Sequence, residues 1–122
     1  MAFRIDKNGN ITMVQGDTGH LVVNGLNTDQ NYDVYFAIQD ENRKPIGNEI
    51  SVQSNSQPTV IFVLSSNLTD LLKVEQDEET HTYYYGVKTC TAGGFEDTLS
   101  IGGSDMGDKN TITVYPKKVE GC

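Results

Sequence analysis

One stretch of the chain, residues 32–39, alternates apolar and polar side chains and constrains the fold more than any other feature. Successive side chains of a β-strand point to opposite faces of the sheet, so this alternation predicts a strand with one buried face. The first face carries Tyr32, Val34, Phe36 and Ile38, and the second carries Asp33, Tyr35, Ala37 and Gln39. The aromatic and β-branched residues of the first face are typical of a strand that packs against a core.

The rest of the chain follows the same plan, with short apolar runs separated by turn residues. Further strands are predicted at residues 3–5, 11–14, 20–23, 46–52, 59–64, 82–89, 95–101 and 111–115. No crossover helices lie between these runs, which excludes a parallel α/β architecture. The pattern predicts an all-β fold, an immunoglobulin-like antiparallel β-sandwich of about eight strands with one short connector helix.

Local signals add detail to this plan. Asn8-Gly9 predicts a hairpin turn, because this dipeptide tolerates positive φ angles, and Gly47 indicates a β-bulge. Residues 59–64 are almost continuously apolar, which predicts a strand buried on both faces. The helix is predicted at residues 65–74, with Ser66 or Asn67 as its cap.

The chain of 122 residues has the usual length of one domain. We predict a sandwich over residues 1–116, where Pro116 ends the last strand, and a short C-terminal tail at residues 117–122. No apolar run is long enough to span a membrane, and the first residues lack the layout of a secretory signal. These features predict a protein that folds in a cytoplasm.

The net charge of −8 limits the class of partner. Nucleic acids and anionic membranes attract proteins that are rich in Lys and Arg, so neither is an expected partner. Other proteins remain as the expected partners.

No pattern predicts catalysis or a cofactor. His20 and His81 lack a second ligand at metal spacing, and no nucleophile elbow occurs. The loop from Asp105 to Asn110 is a weak candidate for cation binding. Cys90 is predicted to be a small buried apolar residue in a strand, and a disulfide with Cys122 is not expected in a reducing compartment. We therefore predict that the protein is not an enzyme.

The three consecutive tyrosines are the most informative group. Tyr83 and Tyr85 are predicted to point inward, where one of them can form a tyrosine corner, and Tyr84 is predicted to point outward. Outward tyrosines either cover the sheet or anchor a protein interface, where aromatic residues are enriched. The candidate interface residues are Tyr35, Tyr84, Tyr115, Phe3, Lys117 and Lys118.

Several short motifs occur in an order that resembles a known family. They are the Gln-Gly-Asp-Thr turn at 15–18, the Tyr-x-Tyr strand at 83–85, the segment 96–102 with Thr98-Leu99, and the closing strand 112–116. In these motifs the chain is similar to the immunoglobulin-like N-terminal domain of phage baseplate upper proteins and related tail and head-fibre proteins.

The resemblance implies a structural component of a virion, assembled in many copies in the cytoplasm of the host bacterium. Baseplate upper proteins continue into linking and receptor-holder regions that this chain lacks. That difference favours a head decoration, fibre-base or tail adaptor role over a baseplate role. The implied partners are capsid or tail proteins and further copies of the chain, with a trimer expected from the family.

Two other functions share the same fold. A bacterial surface adhesin or carbohydrate-binding module would present exposed aromatic residues along a cleft, although the chain contains no Trp. A small hydrolase would need a pocket with converging polar groups, which the sequence does not indicate.

Overall fold

The computed structural model describes residues 3–99, 101 and 110–119 of the chain. Within them lie nine strands and one helix. These are β1 (Phe3–Ile5), β2 (Ile11–Val14), β3 (Gly19–Val23), β4 (Asp33–Gln39), β5 (Pro45–Gln53), β6 (Val60–Leu64), α1 (Ser66–Thr69), β7 (His81–Cys90), β8 (Glu96–Leu99) and β9 (Asn110–Tyr115). The prediction of an all-β fold with one short helix is confirmed.

The strands form two sheets that pack as a sandwich. The large sheet has the order β1-β2-β9-β7-β4-β5, with β8 also paired to β7, and the small sheet consists of β3 and β6. The pairings β4–β7–β9 and β3–β6 correspond to strands C–F–G and B–E of an immunoglobulin-like sandwich. Phe36 of the large sheet lies 5.7 Å from Phe62 of the small sheet between ring centroids, so the two layers meet in a common core.

One pair of strands differs from the predicted antiparallel pattern. β2 pairs with β9 in parallel, with Ile11 opposite Ile112 and Val14 opposite Tyr115. Parallel neighbours need a long connection, and here the connection is almost the whole domain. The first and last parts of the sandwich are thereby joined in one ladder.

The turn and the bulge are both confirmed. Gly9 has a φ of +82° in the turn between β1 and β2. Gly47 has a φ of +69° where the register between β4 and β5 shifts, because two extra residues of β5 lie between the pairs Phe36–Ile50 and Ile38–Ile46.

The prediction of a doubly buried strand at residues 59–64 is wrong. β6 buries Val60, Phe62 and Leu64, whereas Ile61 and Val63 point outward and are about half exposed. The small sheet has only one covered face, because no further layer of the described chain packs on its outer side. A continuous apolar run therefore does not alone establish burial on both faces.

The helix is shorter than predicted, and its cap is Ser65 rather than Ser66 or Asn67. The Ser65 side chain accepts a hydrogen bond from the Leu68 backbone N–H. The helix ends at Thr69, whose hydroxyl donates to the carbonyl of Asp17 at 2.9 Å. Beyond Thr69 the backbone forms tighter turns, in which Leu71 N–H donates to the Leu68 carbonyl and Leu72 N–H donates to the Thr69 carbonyl. The apolar spacing therefore continues through Leu72, although the helix does not.

Candidate interaction surfaces

The outer face of the large sheet carries the three outward tyrosines, as predicted. Tyr35 and Tyr84 are half-buried, and Tyr115 is exposed. Tyr84 lies opposite Gln39, four residues along β4 from Tyr35, and also opposite Thr111, four residues along β9 from Tyr115. Four residues of a strand span about 13 Å. The three rings are therefore spread along a diagonal line and do not form one cluster.

A depression interrupts this face at its centre. Gly86 and Ala37 lie directly opposite each other in the β4–β7 ladder and leave a cavity of about 230 Å³. Its remaining walls are Tyr35, Glu49, Lys88 and Glu96. A β-carbon placed on Gly86 would meet no atom within 4 Å, so a larger side chain at this position would fill the depression.

An ion pair borders the depression. Lys88 Nζ lies 2.5 Å from Glu96 Oε1, and both side chains are about half exposed. The hydrogen bond and the charge of Glu96 raise the pKa of Lys88, and the reciprocal interactions lower the pKa of Glu96. Both groups are charged near neutral pH, so the rim of the depression presents an aromatic ring beside fixed charges of both signs.

The outer face of the small sheet is mostly apolar and uncharged, unlike the outer face of the large sheet. Val22, Ile61 and Val63 expose 48%, 51% and 52% of their surface, and we call this group the apolar strip. Val22 lies opposite Ile61, and His20 lies opposite Val63. Thr59 donates a hydrogen bond to Asn24 at one end of the face. No carboxylate, Lys or Arg lies on these outward positions, although the chain as a whole carries a net charge of −8.

Sequence reasoning missed the apolar strip. Ile61 and Val63 belong to a continuous apolar run in the sequence. Alternation of apolar and polar residues indicates an exposed face, and a run that is apolar on both faces has no such alternation. Only the structure shows that β6 pairs with β3 in a two-stranded sheet and that the outer face of this sheet is not covered.

The other three candidate interface residues lie away from the tyrosines. Phe3 is half-buried, and its ring occupies the space beside Gly19 where a β-carbon would lie. Lys117 forms an ion pair with Asp70 at 2.5 Å, which lowers the pKa of that carboxyl. Lys118 is exposed. The structure thus gives Phe3 and Lys117 contacts within the domain.

A histidine links two loops at one end of the sandwich. His81 Nδ1 lies 2.8 Å from Glu78 Oε2, and Nε2 lies 3.2 Å from Glu41 Oε2. Burial opposes protonation of the ring, but the hydrogen bonds and charges of Glu78 and Glu41 outweigh it and raise the pKa of His81. The Glu75 backbone N–H and then His81 lower the pKa of Glu78. At mildly acidic pH, His81 is therefore positively charged and forms ion pairs with Glu78 and Glu41.

The inward tyrosines hold loops to the sheet. Tyr83 donates to the Lys73 carbonyl at 2.6 Å, which confirms the tyrosine corner, and Tyr85 donates to the buried Gly9 carbonyl at 2.5 Å. Within the described residues, every buried side-chain nitrogen and oxygen atom has a hydrogen-bond partner. Both hydroxyls therefore act inside the fold.

The metal and cysteine predictions depend partly on residues outside the described ranges. Among the described residues, no group of three or more His, Cys, Asp or Glu side chains could hold a metal ion. The candidate cation loop lies outside these residues except for Asn110, whose amide donates to the carbonyls of Asn8 and Ile101. Cys122 also lies outside them. Cys90 is half-buried and points to the outer face near Glu96, so the prediction that it is buried is wrong.

Among the described residues, no helix has the length and apolarity needed to cross a bilayer. No model of a known protein family matches the chain, and no curated protein matches it. The fold itself defines the class, which is that of all-β sandwiches.

Proposed function

We propose that the chain is a structural protein of a phage virion, a head decoration, fibre-base or tail or baseplate adaptor, which acts by binding other proteins of the particle. The observation that carries this proposal is the apolar strip on the small sheet. Uncharged, β-branched side chains that remain half exposed on a strongly charged protein are typical of a surface that another protein covers. The sequence resemblance to phage tail and head-fibre domains supports a particle as the setting.

The size of the strip favours attachment in many copies. Full burial of one Val or Ile side chain contributes about 1.5–3 kcal/mol, so the exposed halves of three such side chains offer roughly 2–4 kcal/mol. Association of two molecules costs at least about 4 kcal/mol in lost freedom of motion. The strip alone supports only weak one-to-one binding, and it becomes effective where copies that are joined to one another attach to one particle at several sites.

Reconstitution of particles tests the proposal. The wild-type protein is mixed with particles that lack it, and the number of copies that co-purify with each particle is measured by quantitative mass spectrometry. We expect a fixed stoichiometry. The double variant Ile61→Thr/Val63→Thr keeps β-branched side chains at outward positions, so it should fold and bind about ten-fold more weakly.

Ile5→Thr is the matched control, because Ile5 is 43% exposed on the edge strand β1 and undergoes the same chemical change. The control should bind like the wild type. If the wild-type protein does not co-purify with particles, the virion role is wrong. If the double variant binds as tightly as the control, the apolar strip is not the attachment surface.

The central depression favours a second function, that of a carbohydrate-binding module. Tyr35 supplies an aromatic ring, and Glu49, Lys88 and Glu96 supply hydrogen-bonding groups around a cavity of about 230 Å³. Stacking on an aromatic ring together with a few polar contacts suits a small ligand. A glycan array with the wild-type protein and Gly86→Val tests this function.

A carbohydrate module should give glycan signals that Gly86→Val abolishes, because the new side chain fills the depression. The control Thr111→Val changes the same face outside the depression and should leave such signals unchanged. The absence of glycan signals for the wild-type protein would eliminate this second candidate.

A further inference from the structure

The strand β5 forms an open edge of the large sheet. In the described part of the chain it pairs only with β4, and its nine residues make it the longest strand with a single neighbour. The first half of β5 is irregular, because it contains Pro45 and the bulge at Gly47. The second half, from Glu49 to Gln53, contains no proline or glycine, and from Ile50 onward it keeps a regular register with β4. Such an edge is a template for a further strand.

The ladder shows which backbone groups of β5 are free for such a strand. Ser54 N–H donates to the Tyr32 carbonyl at 2.9 Å, which makes residues 32 and 54 a hydrogen-bonded pair. Hydrogen-bonded and non-hydrogen-bonded pairs alternate in an antiparallel ladder. Ile50 and Val52 therefore direct their backbone groups toward β4, whereas Ser51 and Gln53 direct theirs away from the sheet.

The inward side chains of this half-strand are incompletely covered. Ile50 and Val52 pack against the core but remain half-buried, whereas Val34 and Phe36, opposite them on β4, are 0% and 1% exposed. The difference arises because β5 has a neighbour on one side only. One more strand beside β5 would cover the remaining apolar surface of both residues.

We propose that β5 pairs with β5 of a second copy of this chain, antiparallel and with a two-fold axis at Ser51. In this register Ser51 forms a hydrogen-bonded pair with its own equivalent. Ile50 then lies opposite Val52 of the second copy, and Glu49 lies opposite Gln53, each twice. The result is an isologous dimer with one continuous sheet. This inference does not depend on the virion role.

The low charge of β5 favours a second copy of the chain as its partner. Charge and side-chain packing together favour the register with the axis at Ser51. Glu49 is the only charged residue between Pro45 and Gln53, so a second copy can approach despite the net charge of −8. Because the free backbone groups belong to odd-numbered residues, the hydrogen-bonded pairs between the two copies must join odd-numbered residues. An axis at Glu49 would oppose two carboxylates, and an axis at Ile50 would oppose Val52 to Asn48. An axis at Val52 would oppose Ile50 to Ser54, which is buried within its own copy. The axis at Ser51 avoids these pairings and places β-branched side chains opposite each other across the strands.

Two substitutions that change the charge equally distinguish this register. Ser51→Lys places two ammonium groups opposite each other on the axis, whereas Gln53→Lys places each lysine opposite Glu49 of the other copy. Both residues are exposed, so both variants should fold. Sedimentation equilibrium should show a dimer for the wild type. It should be weaker for Ser51→Lys, by roughly 1.5- to five-fold for one repulsive pair, and tighter for Gln53→Lys, by roughly two- to thirty-fold for two attractive pairs.

Cysteine cross-linking provides a geometric measurement. In the background Cys90→Ser/Cys122→Ser, Ser51→Cys should form a disulfide-linked dimer under mild oxidation. Hydrogen-bonded antiparallel partners lie about 5.5 Å apart between Cα atoms, which suits a disulfide. Gln53→Cys alone is the matched control and should not cross-link with itself, but it should cross-link with Glu49→Cys in a mixture.

Three results would overturn the proposal. The first is a wild-type protein that stays monomeric at millimolar concentration. The second is a dimer that Ser51→Lys and Gln53→Lys affect equally. The third is cross-linking of Gln53→Cys as fast as that of Ser51→Cys. Because particles are absent from all these measurements, failure of the dimer leaves the virion test unaffected.

Discussion

Two tyrosine hydroxyls show how single atoms hold loops to the sandwich. Tyr85 donates to the carbonyl of Gly9, which is itself buried, whereas Tyr83 donates to the carbonyl of the exposed residue Lys73. A buried carbonyl that loses its donor cannot turn to water, so its loss costs about 1–3 kcal/mol. Burial also raises the pKa of Tyr85, which keeps its proton available for donation.

We therefore expect Tyr85→Phe to lower the free energy of unfolding by about 1–3 kcal/mol. Tyr83→Phe should lower it by less, because water can reach the Lys73 carbonyl. Urea unfolding followed by circular dichroism measures both values. An equal loss in the two variants would contradict the difference in burial.

At the same scale, the raised pKa of His81 predicts how the free energy of unfolding depends on pH. Its pKa is raised in the fold, so its contribution is complete below the unfolded value and is lost as pH rises through the folded pKa. The pKa of Glu78 is lowered, so its contribution is lost as pH falls through that folded value. The cluster of His81, Glu78 and Glu41, which packs against Tyr83, therefore stabilises most between the ordinary values of 4.5 and 6.5.

The corresponding measurement is urea unfolding at about pH 6 and about pH 8. The wild-type protein should lose stability over this interval, and His81→Gln should lose less. If His81→Gln shows the same pH dependence as the wild type, the cluster does not couple folding to proton binding.

At the scale of elements, the bulge of β5 depends on a residue without a side chain. Gly47 has a φ of +69°, and a β-carbon there would lie 2.7 Å from Leu68 Cδ1 and 3.3 Å from Leu71 Cδ1. The bulge and the segment around α1 are therefore packed directly on each other. Gly25 offers a comparison, because its φ is +82° but a β-carbon there would meet no atom within 4 Å.

We expect Gly25→Ala to lower the free energy of unfolding by about 1–2 kcal/mol, the cost of a left-handed conformation in a residue with a side chain. Gly47→Ala should cost more, because Leu68 must also move. Thermal and urea unfolding of the two variants measure the difference. Equal losses would show that the contact with Leu68 relaxes without cost.

Elements with one apolar face were the most predictable from the sequence. The sequence predicted the inward faces of the strand around Phe36 and the strand around Tyr85 correctly. Side chains of a strand alternate between its two faces, so the positions of the apolar residues indicate which face packs on the core. The helix was overextended because the spacing of Leu68, Leu71 and Leu72 continues past its end. Beyond its end the chain packs against a distant segment, where the Thr69 hydroxyl donates to the Asp17 carbonyl and Leu72 is buried.

At the scale of the whole molecule, β9 closes the sandwich. It lies between β2 and β7, and it buries Ile112 and Val114 completely. Without it, β1 and β2 would lose their connection to the large sheet. Burial of the two side chains contributes about 3–6 kcal/mol, a large part of the usual stability of a domain.

A chain that ends at Leu99 should therefore remain unfolded, whereas a chain that ends at Lys118 should fold. The dispersion of amide signals in a ¹H–¹⁵N NMR spectrum distinguishes the two states. A folded spectrum for the shorter chain would show that the parallel β2–β9 ladder is dispensable.

The candidate surfaces were only partly predictable. The outward positions of Tyr35, Tyr84 and Tyr115 follow from alternation within each strand, so the sequence predicted their face correctly. The distances between them depend on strand order and register, which link residues far apart in the chain. The depression at Gly86 likewise exists only because Ala37 lies opposite it.

The sequence by itself determined the class of fold, the inward face of the main strands, the hairpin turn and the bulge. These features depend on neighbouring residues, through side-chain period and backbone φ preference. Only the tertiary structure decided that β2 and β9 run parallel, that the small sheet exposes Val22, Ile61 and Val63, and that β5 has a free edge. Whether a face or an edge is covered depends on which distant strands are its neighbours, and no local pattern records that.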